Sequence, residues 1–216
     1  MLTLLTAVLL SSTTEDREVF QQNGYTLTFI SQDPKLDKTV KSRMVEAFFT
    51  VYPKLAAEYN VNTRKEVTFF VDTAYTGVAE AANGRVRFSD DWLRLHPGDI
   101  DVVTHEVMHI VQSYPNHSGP GWLTEGIADY VRYRFGVDNR GGGWSLPNYQ
   151  SAQHYTNSYR ITARFLDWVE TKTPGVVKKL DAAMRSSTYS PGLWKELTGK
   201  NVDELWAAYG VDQAVE

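Results

Sequence analysis

The stretch THEVMHIVQ, residues 104–112, places two histidines four apart with a glutamate directly after the first. On an α-helix, residues four apart differ by about 40° in azimuth and about 6 Å in height. His105 and His109 therefore project side by side and can reach one ion at the Zn–N distance of about 2.0–2.1 Å. Glu106 lies one position round the same helix, near a metal-bound water but not the metal itself. The triplet thus combines two ligands with a general base. Val102, Val103, Val107, Ile110 and Val111 are apolar and would bury this helix, and a dry site strengthens the electrostatics a metal exploits. The same residues also suit an ordinary core helix with two satisfied histidines, so the rest of the chain has to decide.

A catalytic zinc site needs three protein ligands and one open position. The chain has no cysteine, which excludes disulfides, thiol nucleophiles and thiolate ligands, so the third donor must be His, Asp or Glu. The segment TEGIADY supplies Glu125, with fifteen residues between it and His109. That length accommodates a loop and the first turn of an antiparallel helix. Asp129 follows Glu125 at four-residue spacing on the same face. A carboxylate there can hydrogen-bond the second nitrogen of a histidine ligand, fixing its tautomer and raising its basicity.

This spacing resembles that of the gluzincin zinc peptidases. The resemblance makes His105, His109 and Glu125 the ligands of Zn2+, Glu106 the general base and Asp129 the partner of a ligand histidine. The wording THEVMHIVQ, then GPGWLTEGIADYVRYRFG, then SYRITARFLDWVE is similar to the plant basic secretory protein family and its bacterial relatives. GVAEAANGRVRFS before the motif and GKNVDELWAAYG near the end extend the likeness over about residues 66–210. The chain departs from that family in being acidic, with a pI of about 5.8, and in carrying Arg160 where the family's Tyr-Asp-Val-Thr-Ala-Arg-Phe stretch has an acid. The resemblance leaves Tyr159 in place, and Tyr159 is the candidate donor to the oxyanion of peptide hydrolysis. His154, Tyr155 and Tyr149 compete with it for that role. His117, in a Gly/Pro loop, reads as a surface residue.

The elements that must position these residues are legible in outline. YTLTFIS (25–31) alternates as a strand does, and KEVTFFVD (65–72) reads as a buried strand. GRVRFSDDWL (84–93) reads as a further strand entered through an Asn83-Gly84 turn, and its first half could be an edge that aligns a peptide by strand addition. Residues 37–60 carry Val40, Met44, Phe48, Val51 and Leu55 at near-helical spacing. Asp99 or Asp101 would cap the motif helix after the HPGD stop, and a second helix would begin near Thr124 and stop at Gly136. Helical patterns follow at 155–172, 176–185 and 202–209. The expected fold is α+β and zincin-like: a mixed N-terminal sheet, an active-site helix and an α-rich C-terminal half.

At 216 residues, 42% hydrophobic and 22% charged, the chain suits one globular domain, taken here as 15–216. Its net charge of −4 with interspersed signs offers no basic run for nucleic acid. The apolar run 2–10 within residues 1–14 is too short to span a bilayer and resembles the core of a secretory signal, so export is expected. The expected function is a zinc-dependent metallopeptidase, an endopeptidase acting on peptide or protein substrates. The alternatives are a non-catalytic binding or adhesion domain on a zincin scaffold and a zinc hydrolase of non-peptide amides.

Overall fold

The computed structural model describes residues 16–213, so the apolar run at 2–10 lies outside the described residues. Strand β1 (Asp16–Gln22) turns into β2 (Tyr25–Ser31) through Asn23 and Gly24, which hold positive φ of 51° and 80°. Such a two-residue turn matches the natural twist of a hairpin. The alternation in YTLTFIS puts Tyr25, Leu27 and Phe29 into the core. β1 has no such alternation. It is recruited by the ladder from Asp16↔Ser31 to Gln22↔Tyr25.

Helix α1 (Lys38–Tyr59) begins where the Asp37 carboxylate accepts from the Thr39 and Val40 amides at 2.7 and 3.1 Å. It crosses over to β3 (Glu66–Asp72), which pairs parallel with β2. β4 (Ala79–Ala82) and β5 (Arg85–Ser89) form a second hairpin through Asn83-Gly84, and the sheet order is β1-β2-β3-β5-β4. GRVRFS is therefore an inner strand between β3 and β4, not the edge. The edge is β4, whose three alanines and one glutamate gave no strand signal. The expected strand to Leu93 also stops early. The Ser89 hydroxyl accepts from the Trp92 amide at 3.3 Å and starts helix α2 (Asp90–Leu95), with Asp90 and Asp91 in its first turn.

Phe29, Phe48, Phe69 and Phe88 are fully buried between the sheet and α1, meeting edge to face. Helix α3 (Val102–Gln112) packs against α1 and against β4 and β5, and its residues other than His109 are all buried. Asp101 stands at its N-cap position, but its side chain makes no bond to the helix backbone. Its fully buried carboxylate instead accepts from Thr104 Oγ1 at 2.9 Å and from the Val137 and Asp138 amides at 2.7 and 2.6 Å. The predicted cap is thus a tie between the start of α3 and the chain leaving the next helix.

That helix, α4 (Gly121–Phe135), starts three residues before Thr124, directly after Pro120, and ends at Gly136. The pattern at 155–172 is broken in two: a single 3-10 turn (Tyr155–Asn157), then α5 (Tyr159–Lys172), with Ser158 between them at φ 65°. α6 (Val176–Arg185), the unanticipated six-residue α7 (Leu193–Thr198) and α8 (Val202–Gln213) complete the α-rich half. α4 and α5 touch at Gly126, where a Cβ would fall 2.2 Å from Thr162 Cγ2, so only glycine permits their approach. No described helix is long and apolar enough to cross a membrane.

Replacing Asp101 with alanine strands two backbone donors, each worth about 1.5–3 kcal/mol when bonded to a carboxylate. Urea unfolding of Asp101→Ala should show a loss of roughly 3–6 kcal/mol with little change in slope; a midpoint equal to wild type would refute the tie.

Candidate active site

α3 and α4 run side by side and bring the motif residues to one point. His105 Nε2 and His109 Nε2 stand 3.1 Å apart, and Glu125 Oε2 lies 3.3 Å from the first and 3.5 Å from the second. Tetrahedral donors at about 2.0–2.1 Å from a zinc ion are about 3.3–3.4 Å from one another. The three ligand atoms therefore have the mutual spacing of a zinc shell with one corner open.

The opposite ring nitrogens decide the tautomers. His105 Nδ1 is 2.7 Å from Asp129 Oδ1, and His109 Nδ1 is 2.7 Å from Gln112 Oε1. Gln112 Nε2 donates to the Thr124 carbonyl at 3.0 Å, which fixes its oxygen toward His109. A carboxylate and an amide oxygen only accept, so both Nδ1 atoms carry protons. The two Nε2 lone pairs then face each other and a carboxylate, an arrangement that calls for a cation. A proton is one answer. Burial alone would lower the His105 imidazole, but hydrogen bonds to Asp129 and Glu125 outweigh it and raise it to about 10. Glu125 is shifted the other way: burial would raise it, and its contacts with His105 and His109 hold it well below the ordinary carboxylate range. A zinc ion competes for the same lone pairs with twice the charge.

Glu106 is buried, and its Oε2 has no hydrogen-bond partner. Burial pushes its carboxyl above the ordinary range, against the pull of His105 and His109. An orphaned carboxylate oxygen beside three converging donors fits a site completed by a metal and the water it carries. The residues present thus fit zinc, with His105, His109 and Glu125 to hold it.

These side chains lie in a cleft of about 980 Å³, within the common range for ligand sites. Tyr159 lines it as well. It is 54% exposed, takes a left-handed φ of 50° at the start of α5, and sets its ring parallel to that of His105 with centroids 6.2 Å apart. The negative charge of Glu125, then partial burial, raises its hydroxyl above the ordinary tyrosine value. Its rivals are engaged elsewhere. The Tyr155 hydroxyl donates to Asp203 at 2.7 Å, Tyr149 packs on Trp206 and Tyr209, and His154 closes its own turn through Thr156. His117 is exposed at φ 60° and outside the cleft. Sequence reasoning missed Gln112, although its i+3 spacing from His109 was available as a signal.

A profile of the BSP family, described as peptidase of plants and bacteria, matches residues 25–209. The chain belongs to this family. The His105, Glu106, His109 and Glu125 set makes it a gluzincin-like zinc-peptidase domain of that family. No curated protein sequence matches the chain. Among solved structures, it is similar to an M1 zinc metallopeptidase from Deinococcus radiodurans at 13% identity and a TM-score of 0.57, covering 90% of this chain and 51% of that one. A variant of that protein with bound Tyr-Ser-Ala substrate matches at 14% identity and a TM-score of 0.56, with the same coverage. The likeness is one of fold, and the chain spans about half the length of these structures.

Asp129→Asn and Gln112→Leu each loosen one ligand histidine, and each should weaken zinc binding about 10–100-fold in a competition titration with a chromogenic chelator. Unchanged affinity in both would show that the histidines hold their orientation without these partners.

Proposed function

We propose that the chain is a zinc-dependent endopeptidase in which Glu106 is the general base. The observation that carries this reading is the buried, unpartnered Glu106 Oε2 next to the three metal donors. A site serving structure alone needs no such carboxylate. When bound, zinc lowers the pKa of a coordinated water to about 7 and polarises the scissile carbonyl.

Glu106 takes the proton of the attacking water and delivers it to the leaving amine. Burial raises its proton affinity, which suits a group that must both accept and hold that proton. Asp129 and Gln112 keep the two imidazoles turned toward the metal. The Tyr159 hydroxyl, on the solvent side of His105, donates to the oxygen that gains charge as the carbonyl is attacked. An extended substrate pairs with the free edge of β4, whose residues Ala79, Glu80 and Ala81 border the cleft. The cleft passes the triad in both directions, toward Val102 on one side and toward Gln112 and Thr124 on the other. This supports cleavage within a chain.

The test is metal analysis of the purified protein together with cleavage of an unstructured protein substrate, abolished by chelator and restored by zinc. Glu106→Gln should keep its zinc and lose turnover about 10²–10⁴-fold; wild-type rates in that variant would overturn the mechanism. Tyr159→Phe should lower kcat about 10²-fold with KM nearly unchanged. A loss confined to KM would instead make Tyr159 a binding residue.

A further inference from the structure

Past the His105 side of the triad the same cleft extends between residues to which the proposed chemistry assigns no role. Val102 stands one turn before His105 on α3, and Arg132 one turn after Asp129 on α4; three helical residues advance about 4.5 Å. Trp92 and His96, from the end of α2, and Trp144, from the loop after α4, form its other walls.

One buried ion pair fixes both indoles. Asp99 and Arg132 are 7% and 5% exposed and are paired through Asp99 Oδ1 and Arg132 Nη2. Asp99 Oδ2 accepts from Trp92 Nε1 at 3.0 Å, and the Arg132 guanidinium lies over the Trp144 ring at 4.4 Å. Arg132 Nε also donates to Asn139 Oδ1 at 3.1 Å, and Asn139 Nδ2 donates back to the Arg132 carbonyl at 2.8 Å. His96 stacks on the other indole, with centroids 3.8 Å from Trp92. The loop carrying Trp144 reaches this position through glycine. A Cβ at Gly98 would fall 2.6 Å from the Gly141 carbonyl oxygen, so the two loops meet backbone to backbone. That accounts for Gly98; within the run RGGGW, a Cβ at Gly142 would fall 3.1 Å from Asp99 Cα, and Gly143 holds a φ of 66°.

The chemistry of the walls selects a ligand class. The charges of Asp99 and Arg132 cancel each other, so neither is free to read a charged group, and Arg160 at the rim is turned to the Ser145 carbonyl at 3.4 Å. Each indole is only half-buried, with one face covered by a cation or an imidazole. Rigid aromatic surface of this kind gains most from an apolar, planar guest. An extended peptide advances about 3.3 Å per residue, so a pocket one turn from His105 meets a side chain adjoining the scissile bond. We infer that this pocket is a specificity site for a large apolar side chain, aromatic by preference, next to the bond that is cut. The inference rests on the reading of the cleft as a peptidase site.

The test uses blocked peptides identical except for Phe, Leu, Gly, Lys or Glu beside the scissile bond. Wild type should favour Phe over Gly about 10–100-fold in kcat/KM. Trp144→Ala, and independently Trp92→Ala, should reduce that ratio to about 3-fold or less at full zinc content, and Trp144→Phe should restore it. Calorimetry on zinc-loaded Glu106→Gln, which binds without turnover, should give the same order of affinities. Cleavage with no preference, or a preference that survives both tryptophan variants, overturns the pocket and leaves the peptidase reading standing. Selective binding of the Phe peptide with no cleavage by wild type does the reverse, and neither binding nor cleavage overturns both.

Discussion

The hydrogen bond between His105 Nδ1 and Asp129 Oδ1, 2.7 Å long and buried, joins the two helices that make the site. Two further contacts run the same way. Gln112 reaches from the end of α3 to the Thr124 carbonyl while holding His109, and Glu125 faces both Nε2 atoms. The Asp129 and Gln112 bonds occupy the two Nδ1 atoms on the side away from the triad's centre, so the Nε2 lone pairs have nowhere to point but at one another and at Glu125. Two imidazoles and two carboxylates arranged in this way concentrate electron pairs at one point of the cleft, with Glu106 adding a third carboxylate beside them. Only a cation relieves that concentration, and the donor spacing suits zinc.

The remainder of the fold can be read as support for that pair of helices. α3 is buried along its whole length but for His109, so the histidines cannot relax outward without exposing the core. Asp101 ties the start of α3 to the end of α4, and Gly126 lets α5 close on α4 near enough to bring Tyr159 over His105. The sheet contributes through its last strand. β4 is short, made of three alanines and a glutamate, and paired on one side only among the described residues, which leaves a free edge along the cleft. Exposed edges of this kind invite strand addition, and here the edge lies where an extended substrate would lie.

Much of the site was legible because zinc chemistry constrains residue type and spacing at once. His105 and His109 share a helix face by period alone, and Glu125 with Asp129 repeats that spacing on the next helix. Val40, Met44, Phe48, Val51 and Leu55 marked α1 for the same reason. Elements with no apolar period were missed: β1 exists by pairing with β2, β4 by pairing with β5, and α7 is six residues long. The strand expected through Leu93 failed at Ser89 because a capping hydroxyl and two acids favour a helix start over continued pairing. Gln112 went unnoticed because its role depends on a carbonyl of another helix.

The sequence by itself therefore pointed to the ligand set, the carboxylate beside it, the helix faces that carry them and a strand-bearing first half ahead of an α-rich second. Periodicity set the helix faces, and the resemblance to gluzincin peptidases implied the residue roles. Tertiary structure decided which nitrogen of each histidine faces the metal, since that depends on Asp129 and Gln112 arriving from specific directions. It decided that β4 and not β5 is the edge, because edge position is set by which strand lacks a second partner. It also placed Trp92 and Trp144, 52 residues apart in the chain, on one wall through the Asp99–Arg132 pair, a contact between distant segments that no local pattern encodes.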